Sequence, residues 1–176
     1  MLEIKNVYKT FNPGTINEKK ALNGLDLTLN NGDFVTVIGG NGAGKSTMLN
    51  MIAGVYPVDS GSIIIDGEDV TRLPEHKRAK YLGRVFQDPM MGTAADMWIE
   101  ENMALASRRG QRRGLKWAIN KSEREDFKKM LSELDLGLED RLSAKVGLLS
   151  GGQRQALTLL MAVMKNCLLY TSDAAD

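Results

Sequence analysis

The run Gly39-Gly40-Asn41-Gly42-Ala43-Gly44-Lys45-Ser46 constrains this chain more than any other feature. It fits the pattern G-x-x-x-x-G-K-[ST] and lies between two apolar segments, Phe34-Val35-Thr36-Val37-Ile38 and Met48-Leu49-Asn50-Met51-Ile52. The first is nearly continuous, which predicts a strand covered on both faces. The second reads as a helix. A turn so rich in glycine lets backbone N–H groups face inward around phosphate oxygens, and the positive end of the following helix adds to the same field. Lys45 then stands as a point charge for β- and γ-phosphates, and the Ser46 hydroxyl as a ligand for Mg²⁺. Composition alone would produce such a match in a chain of this length about once in a hundred.

The rest of the composition narrows the class. The chain has 176 residues, room for one ordinary domain or one large domain cut short. Its 43% hydrophobic and 26% charged residues are globular in balance. A formal net charge of +1 gives no global field to draw the chain to nucleic acid or anionic lipid. Apolar stretches reach about nine residues, against the ~20 needed to cross a bilayer. The start, MLEIKNVYKTF, lacks the apolar stretch of a signal peptide, and one Cys cannot form an internal disulfide. These features place the chain in the cytoplasm. With four Phe and two Trp, the core depends on Leu, Ile, Val and ten Met.

Along the chain, Leu25, Leu27 and Leu29 alternate with Asp26 and Thr28 before Asn30-Asn31-Gly32, which predicts a half-buried strand and a hairpin turn. Ile63-Ile64-Ile65 before Asp66-Gly67 predicts a strand and turn, and Leu82 to Phe86 another strand. Ser122-Glu123-Arg124-Glu125 reads as a capping box. Behind it Phe127, Met130, Leu131 and Leu134 share one helical face, with Gly137 placed to end the helix. The stretch from about 92 to 148 is helical and polar, with no strand candidate.

Leu149-Ser150-Gly151-Gly152-Gln153 opens a further apolar helical run, Ala156 to Met164. A hydroxyl and two glycines at a helix start form a second anion site by the same physics. Together the two motifs resemble those of the ATP-binding-cassette (ABC) ATPases: GGNGAGKST, from Gly39 to Thr47, resembles their Walker A loop, and LSGGQ their signature. The resemblance runs over almost the whole chain. It implies an α/β fold of the P-loop NTPase (RecA-like) type, with an N-terminal antiparallel β subdomain and an inserted α-helical subdomain from about 93 to 150. It also implies ATP and Mg²⁺ as cofactors, with Ser150, Gly151, Gly152 and Gln153 acting in trans on ATP held by a second subunit.

Other positions follow from the same resemblance. Phe11 resembles the aromatic that stacks on adenine, although it also suits an ordinary strand end. Gln87, in VFQDP, resembles the Q-loop glutamine, which contacts Mg²⁺ or the attacking water and couples to the membrane partner. His76, in the charged run Pro74-Glu75-His76-Lys77-Arg78, is a solvated side chain and not the family's switch histidine. Arg108, Arg109, Arg112, Arg113 and Lys116 read as a solvated loop, with lipid headgroups as the functional option. Met90, Met91, Met97 and Trp98 suit either a flexible docking surface or core filling.

The implied function is an ATP-hydrolysing subunit powering a membrane transporter, with a permease subunit and a paired ATPase as partners and no nucleic acid. That protein would lie peripherally on the inner face of the cell membrane. The look is closest to bacterial importer ATPases, including a tryptophan/tyrosine group. The alternatives are a soluble ABC ATPase acting on ribosome or DNA, and an inactive nucleotide-binding fragment. The last follows from the C-terminal residues: Cys167–Asp176 matches one reading frame of a transposon-end adapter used in sequencing libraries, so 1–166 is expected to be a partial ABC ATPase domain and 167–176 a sequencing scar. There Asp173 falls where the family has its Walker B aspartate, but Ala174 stands where it has a glutamate base.

Overall fold

The computed structural model describes residues 1–86, 88, 90–111, 119–165, 167 and 169–172. They fall into two compact units, Met1–Leu82 and Gly83–Ala174.

The first unit is built on a four-stranded sheet in the order β2-β1-β3-β4, from β1 (Leu2–Phe11), β2 (Lys19–Leu29), β3 (Ser60–Ile65) and β4 (Glu68–Asp69). All three pairings are antiparallel. The register sets Leu2 between Leu29 and Ile65, and Ile4 between Leu27 and Ile63, so one face is apolar across three strands. That alignment buries Leu2, Ile4, Val7, Ile63 and Ile65. Helix α1 (Lys45–Ala53) buries Met48, Met51, Ile52 and Ala53. A short helix α2 (Glu75–Arg78) follows, with His76 exposed as its sequence context predicts.

Two expectations are corrected here. Asn30-Asn31-Gly32 does turn, with the Asp33 N–H donating to the Asn30 carbonyl at 3.2 Å, but β2 pairs backwards with β1 and no hairpin partner follows. Nor is Phe34–Ile38 a buried parallel strand. It belongs to no sheet among the described residues, and Phe34 is 94% and Ile38 89% exposed. A fully apolar strand is held only where strands flank it and layers cover both faces. None of the described residues supplies that ladder.

The second unit contains β5 (Leu82–Val85), which begins at the boundary and pairs with β6 (Leu169–Ser172) in a two-stranded sheet. Thus four residues of the C-terminal segment set aside on sequence grounds form a strand. Leu, Tyr and Thr in succession carry the strand preference that permits it. Helices α3 (Ile99–Ser107), α4 (Lys121–Ser132) and α5 (Gly151–Val163) enclose a core of Ile99, Met103, Phe127, Leu131, Leu138, Val146 and Leu157. Asn102, buried among them, bonds to both the N–H and the carbonyl of Ala94 and to the Trp98 carbonyl, fixing the loop that enters α3.

The face predicted for α4 is correct: Phe127 and Leu131 are buried, while Met130 and Leu134 pack against the core. Its ends differ. The N-cap is Asn120, two residues earlier than Ser122. Its side chain accepts from the Glu123 N–H at 2.8 Å, and the Glu123 carboxylate accepts from the Asn120 N–H at 2.9 Å. Asn caps as well as Ser, and the first intrahelical bond already runs from Arg124 to the Asn120 carbonyl. At the other end Glu133 is the C-cap and Asp135, at φ 53°, turns the chain before Gly137 is reached.

Asn120→Ala should lower stability by about 1 kcal/mol, or about 2–4 °C in melting temperature for a chain of this size. The Asn120 backbone bond, assisted by Arg108, holds the Glu123 carboxyl below its ordinary range. Its contribution is therefore present above the unfolded carboxylate pKa and lost as pH falls through the folded one. Glu123→Ala removes the titrating half of this cap, so thermal melts should show the Glu123→Ala deficit at pH 7 shrinking in acid. A deficit independent of pH would contradict the reciprocal cap.

Candidate functional site: a glycine-rich phosphate loop

Residues 39–44 lead directly into α1, and Gly42 (φ 84°) and Gly44 shape the turn. Gly44 caps α1 at φ 90°, ψ 2°, a left-handed conformation that a side chain would strain. A Cβ there would also lie 2.5 Å from the Ala21 carbonyl oxygen of β2. The loop is closed by the Ala43 N–H donating to the Gly40 carbonyl at 3.1 Å. The Lys45 ammonium folds back over the turn, donating to the Gly39 carbonyl and, at 3.4 Å, to that of Gly40. Ser46 is exposed beside it, Thr47 is half-buried, and no acidic residue stands in the first turn of α1. Cation, left-handed glycines and a helix N-terminus with no acidic residue in its first turn thus coincide, the chemistry that suits a polyphosphate. Gly39, Gly40, Asn41 and Gly42 are all exposed around it.

The far end of α1 is held by a residue that sequence reading places in solvent. Arg78 is 2% exposed, and its guanidinium donates to the carbonyls of Met51 (2.6 Å), Ile52 (3.0 Å), Leu73 (2.8 Å) and Thr71 (2.9 Å). It therefore satisfies the orphan carbonyls at the negative end of the helix whose positive end carries the loop. Burial pushes its pKa down, and Asp69 opposes this.

Phe11 is half-buried at the end of β1 and meets Tyr56 edge-on, with ring centroids 5.4 Å apart and planes at 82°. The neighbouring backbone is pinned by Asp59: its N–H donates to the Tyr8 carbonyl, and its carboxylate accepts from the Thr10 N–H (2.6 Å) and Lys9 Nζ (2.7 Å). The Lys9 bond is the main cause holding the Asp59 carboxyl below its usual range. Across the sheet Phe11 pairs with Lys19.

In the second unit Ser150 is the N-cap of α5. Its hydroxyl oxygen accepts from the Gln153 N–H at 3.3 Å, and Gln153 Oε1 accepts from the Ser150 N–H at 3.1 Å. The hydroxyl hydrogen is then directed elsewhere, while Gly151 and Gly152 are exposed, and a Cβ at either would meet nothing within 4 Å. Behind the cap, buried Arg154 donates to the carbonyls of Val146 and Gly147.

Several expectations meet the structure less simply. Gln87, Asp173 and Ala174 lie outside the described residues, as do Arg112, Arg113 and Lys116. Arg108 and Arg109 are not a solvated pair. Arg108 bonds Glu123 at 2.9 Å, and Arg109 donates to the Ala162 carbonyl at the end of α5. Met90 and Met91 are exposed, not core-filling. Arg78, Tyr56 and Asn102 were invisible to sequence reading because nothing in their spacing separates them from solvated or loop residues.

Fold and loop together define a P-loop NTPase fold of mixed α/β architecture. The family model described as ABC transporter matches residues 22–175, and this chain belongs to that family. It is 41% identical over 167 residues to a tyrosine transport ATP-binding protein of Clostridioides difficile (strain R20291), covering 92% of the chain and 64% of that relative. It is 36% identical over 166 residues to the spermidine/putrescine import ATP-binding protein PotA of Haemophilus influenzae, covering 93% of the chain and 40% of that relative. The chain thus spans less than two thirds of the length of either. Among solved structures, a dimeric post-hydrolysis state of the ATP-binding cassette MJ0796 bound to ADP and Pi superposes with a TM-score of 0.80 at 28% identity, covering 98% of this chain and 73% of that one.

Proposed function

We propose that this chain is the nucleotide-binding part of an ATPase subunit that powers import through a membrane permease. The carrying observation is the Gly39–Thr47 loop: Gly44 in the left-handed conformation, Lys45 folded over the turn, and the N-terminus of α1 behind it. ATP is the ligand this arrangement suits. Lys45 would meet the β- and γ-phosphates, the loop N–H groups would line them, and Phe11 would stack on the base. The Ser46 hydroxyl would hold Mg²⁺, with Gln87 as a second candidate; the metal would neutralise phosphate charge during transfer. Import is supported by the names of the relatives, which include tyrosine transport, spermidine/putrescine import and xylose/arabinose import proteins. An aromatic amino acid is the substrate favoured by the relative at 41% identity.

Ser150, Gly151, Gly152 and Gln153 would present the start of α5 to ATP held by a paired subunit, the arrangement favoured by likeness to a dimeric cassette. The subunit would sit on the cytoplasmic face of the membrane.

Ser150→Arg separates the two roles. A bulky cation at the start of α5 should block ATP-dependent pairing of cassettes while leaving ATP binding by a single chain unchanged. Size-exclusion chromatography of the transporter ATPase with and without ATP reads the first, and titration with a fluorescent ATP analogue the second. Should single-chain affinity fall as far as in Lys45→Ala, both motifs would serve one site and the reading in trans would be wrong.

A further inference from the structure

Lys19 opens β2 in the ladder position opposite Phe11, at the end of β1. Its side chain is exposed and reaches across to the phosphate loop: a Cβ built on Gly42 would lie 3.3 Å from Lys19 Nζ. Two residues further along the same strand, the Ala21 carbonyl lies against Gly44. The start of β2 therefore runs beside both the end of β1 and the loop, and Lys19 brings an ammonium group to the loop. Among the described residues no carboxylate forms an ion pair with Lys19, although Lys5, Lys9, Lys80 and Lys128 each have one. The loop cannot neutralise it either. Lys45 and the N-terminus of α1 carry the same sign, and α1 has no acidic residue in its first turn. An ammonium placed beside a phosphate-binding turn attracts an anion bound there.

We infer that Lys19 is a second phosphate-binding cation of this site, set beside Gly42 of the loop and placed to meet the phosphate chain of the nucleotide. This rests on the nucleotide-binding reading above, and it assigns to β2 a part in holding the phosphates that the glycine-rich motif does not contain. An exposed ammonium–phosphate contact acts through charge and is screened by salt. At 1 M ionic strength the Debye length is about 3 Å, against about 10 Å at 0.1 M.

The test measures the affinity of the 176-residue chain for ATP and for inorganic tripolyphosphate, by displacement of a fluorescent ATP analogue, at low salt and at 1 M salt. Lys19→Ala should weaken both ligands about 3- to 10-fold at low salt. Lys19→Arg should restore binding, and the unaltered chain and Lys19→Ala should converge at 1 M salt. A merely structural lysine would give a loss that persists in salt and is not rescued by Arg; that result overturns the assignment. Unchanged affinity in Lys19→Ala alongside a loss in Lys45→Ala overturns it too, with the nucleotide site left standing. If neither variant changes affinity, the nucleotide-binding reading falls and the inference falls with it.

Discussion

Replacing Lys45 with Ala lowers the affinity of this chain for ATP by about 10- to 150-fold. The figure follows from one charge-assisted contact, worth ~1.5–3 kcal/mol, converted to a ratio of dissociation constants. Lys45 is the cation that the turn itself holds, donating to the Gly39 and Gly40 carbonyls. Its ammonium is therefore already placed over the loop, and little conformational freedom remains to be lost on binding. Lys45→Arg should not restore full affinity, because a planar guanidinium does not fit where a compact ammonium folds back on its own loop. Titration with a fluorescent ATP analogue reads the change. Affinity within twofold of the unaltered chain would remove the phosphate loop from the account.

Arg78→Ala should produce the largest loss of stability. Four backbone carbonyls, at both the end of α1 and the segment before α2, lose a charged donor in a place where the side chain is 2% exposed. A hydrogen bond to a charged group contributes ~1.5–3 kcal/mol net, and losing several of them at once should cost about 3–5 kcal/mol. For a chain of this size that corresponds to about 6–20 °C in melting temperature. Arg78→Lys should recover only part of this, since one ammonium cannot reach carbonyls on two segments as the planar fork does. Circular dichroism melts decide it: a fall of less than about 2 °C would mean that water replaces the guanidinium at little cost. Because α1 carries the phosphate loop at its other end, nucleotide affinity should weaken in parallel, and added ATP should partly restore the melting temperature.

The readable parts of this molecule are those where local chemistry and three-dimensional role coincide. Glycines that must turn left-handed beside Lys45, and a hydroxyl that must cap α5, are demanded by backbone geometry at those very positions. Their sequence pattern is therefore nearly the local structure itself. Alternation in Leu25, Leu27 and Leu29, and the 3.6-residue spacing of Phe127, Leu131 and Leu134, likewise report burial directly. Phe34–Ile38 shows the opposite case. Its composition demands burial, yet burial of a strand depends on neighbours that no local pattern specifies, and the described residues provide none. Arg78 is hidden for a related reason. A charged residue between Lys77 and Ala79 reads as solvated, and only the arrival of the last turn of α1 beside it reveals an arginine that satisfies carbonyls. Arg109, in a basic run that reads as a solvated loop, has the same role at the end of α5.

The central claim is that the backbone of residues 39–45 encloses the phosphates of ATP. Amide proton–nitrogen spectra of the chain, selectively labelled at glycine and lysine and recorded during titration with ATP and Mg²⁺, test it most directly. The account predicts the largest shifts at Gly40, Gly42, Gly44 and Lys45, reproduced by inorganic tripolyphosphate and absent in Lys45→Ala. Shifts confined to other residues, or equal shifts with adenosine alone, would contradict it.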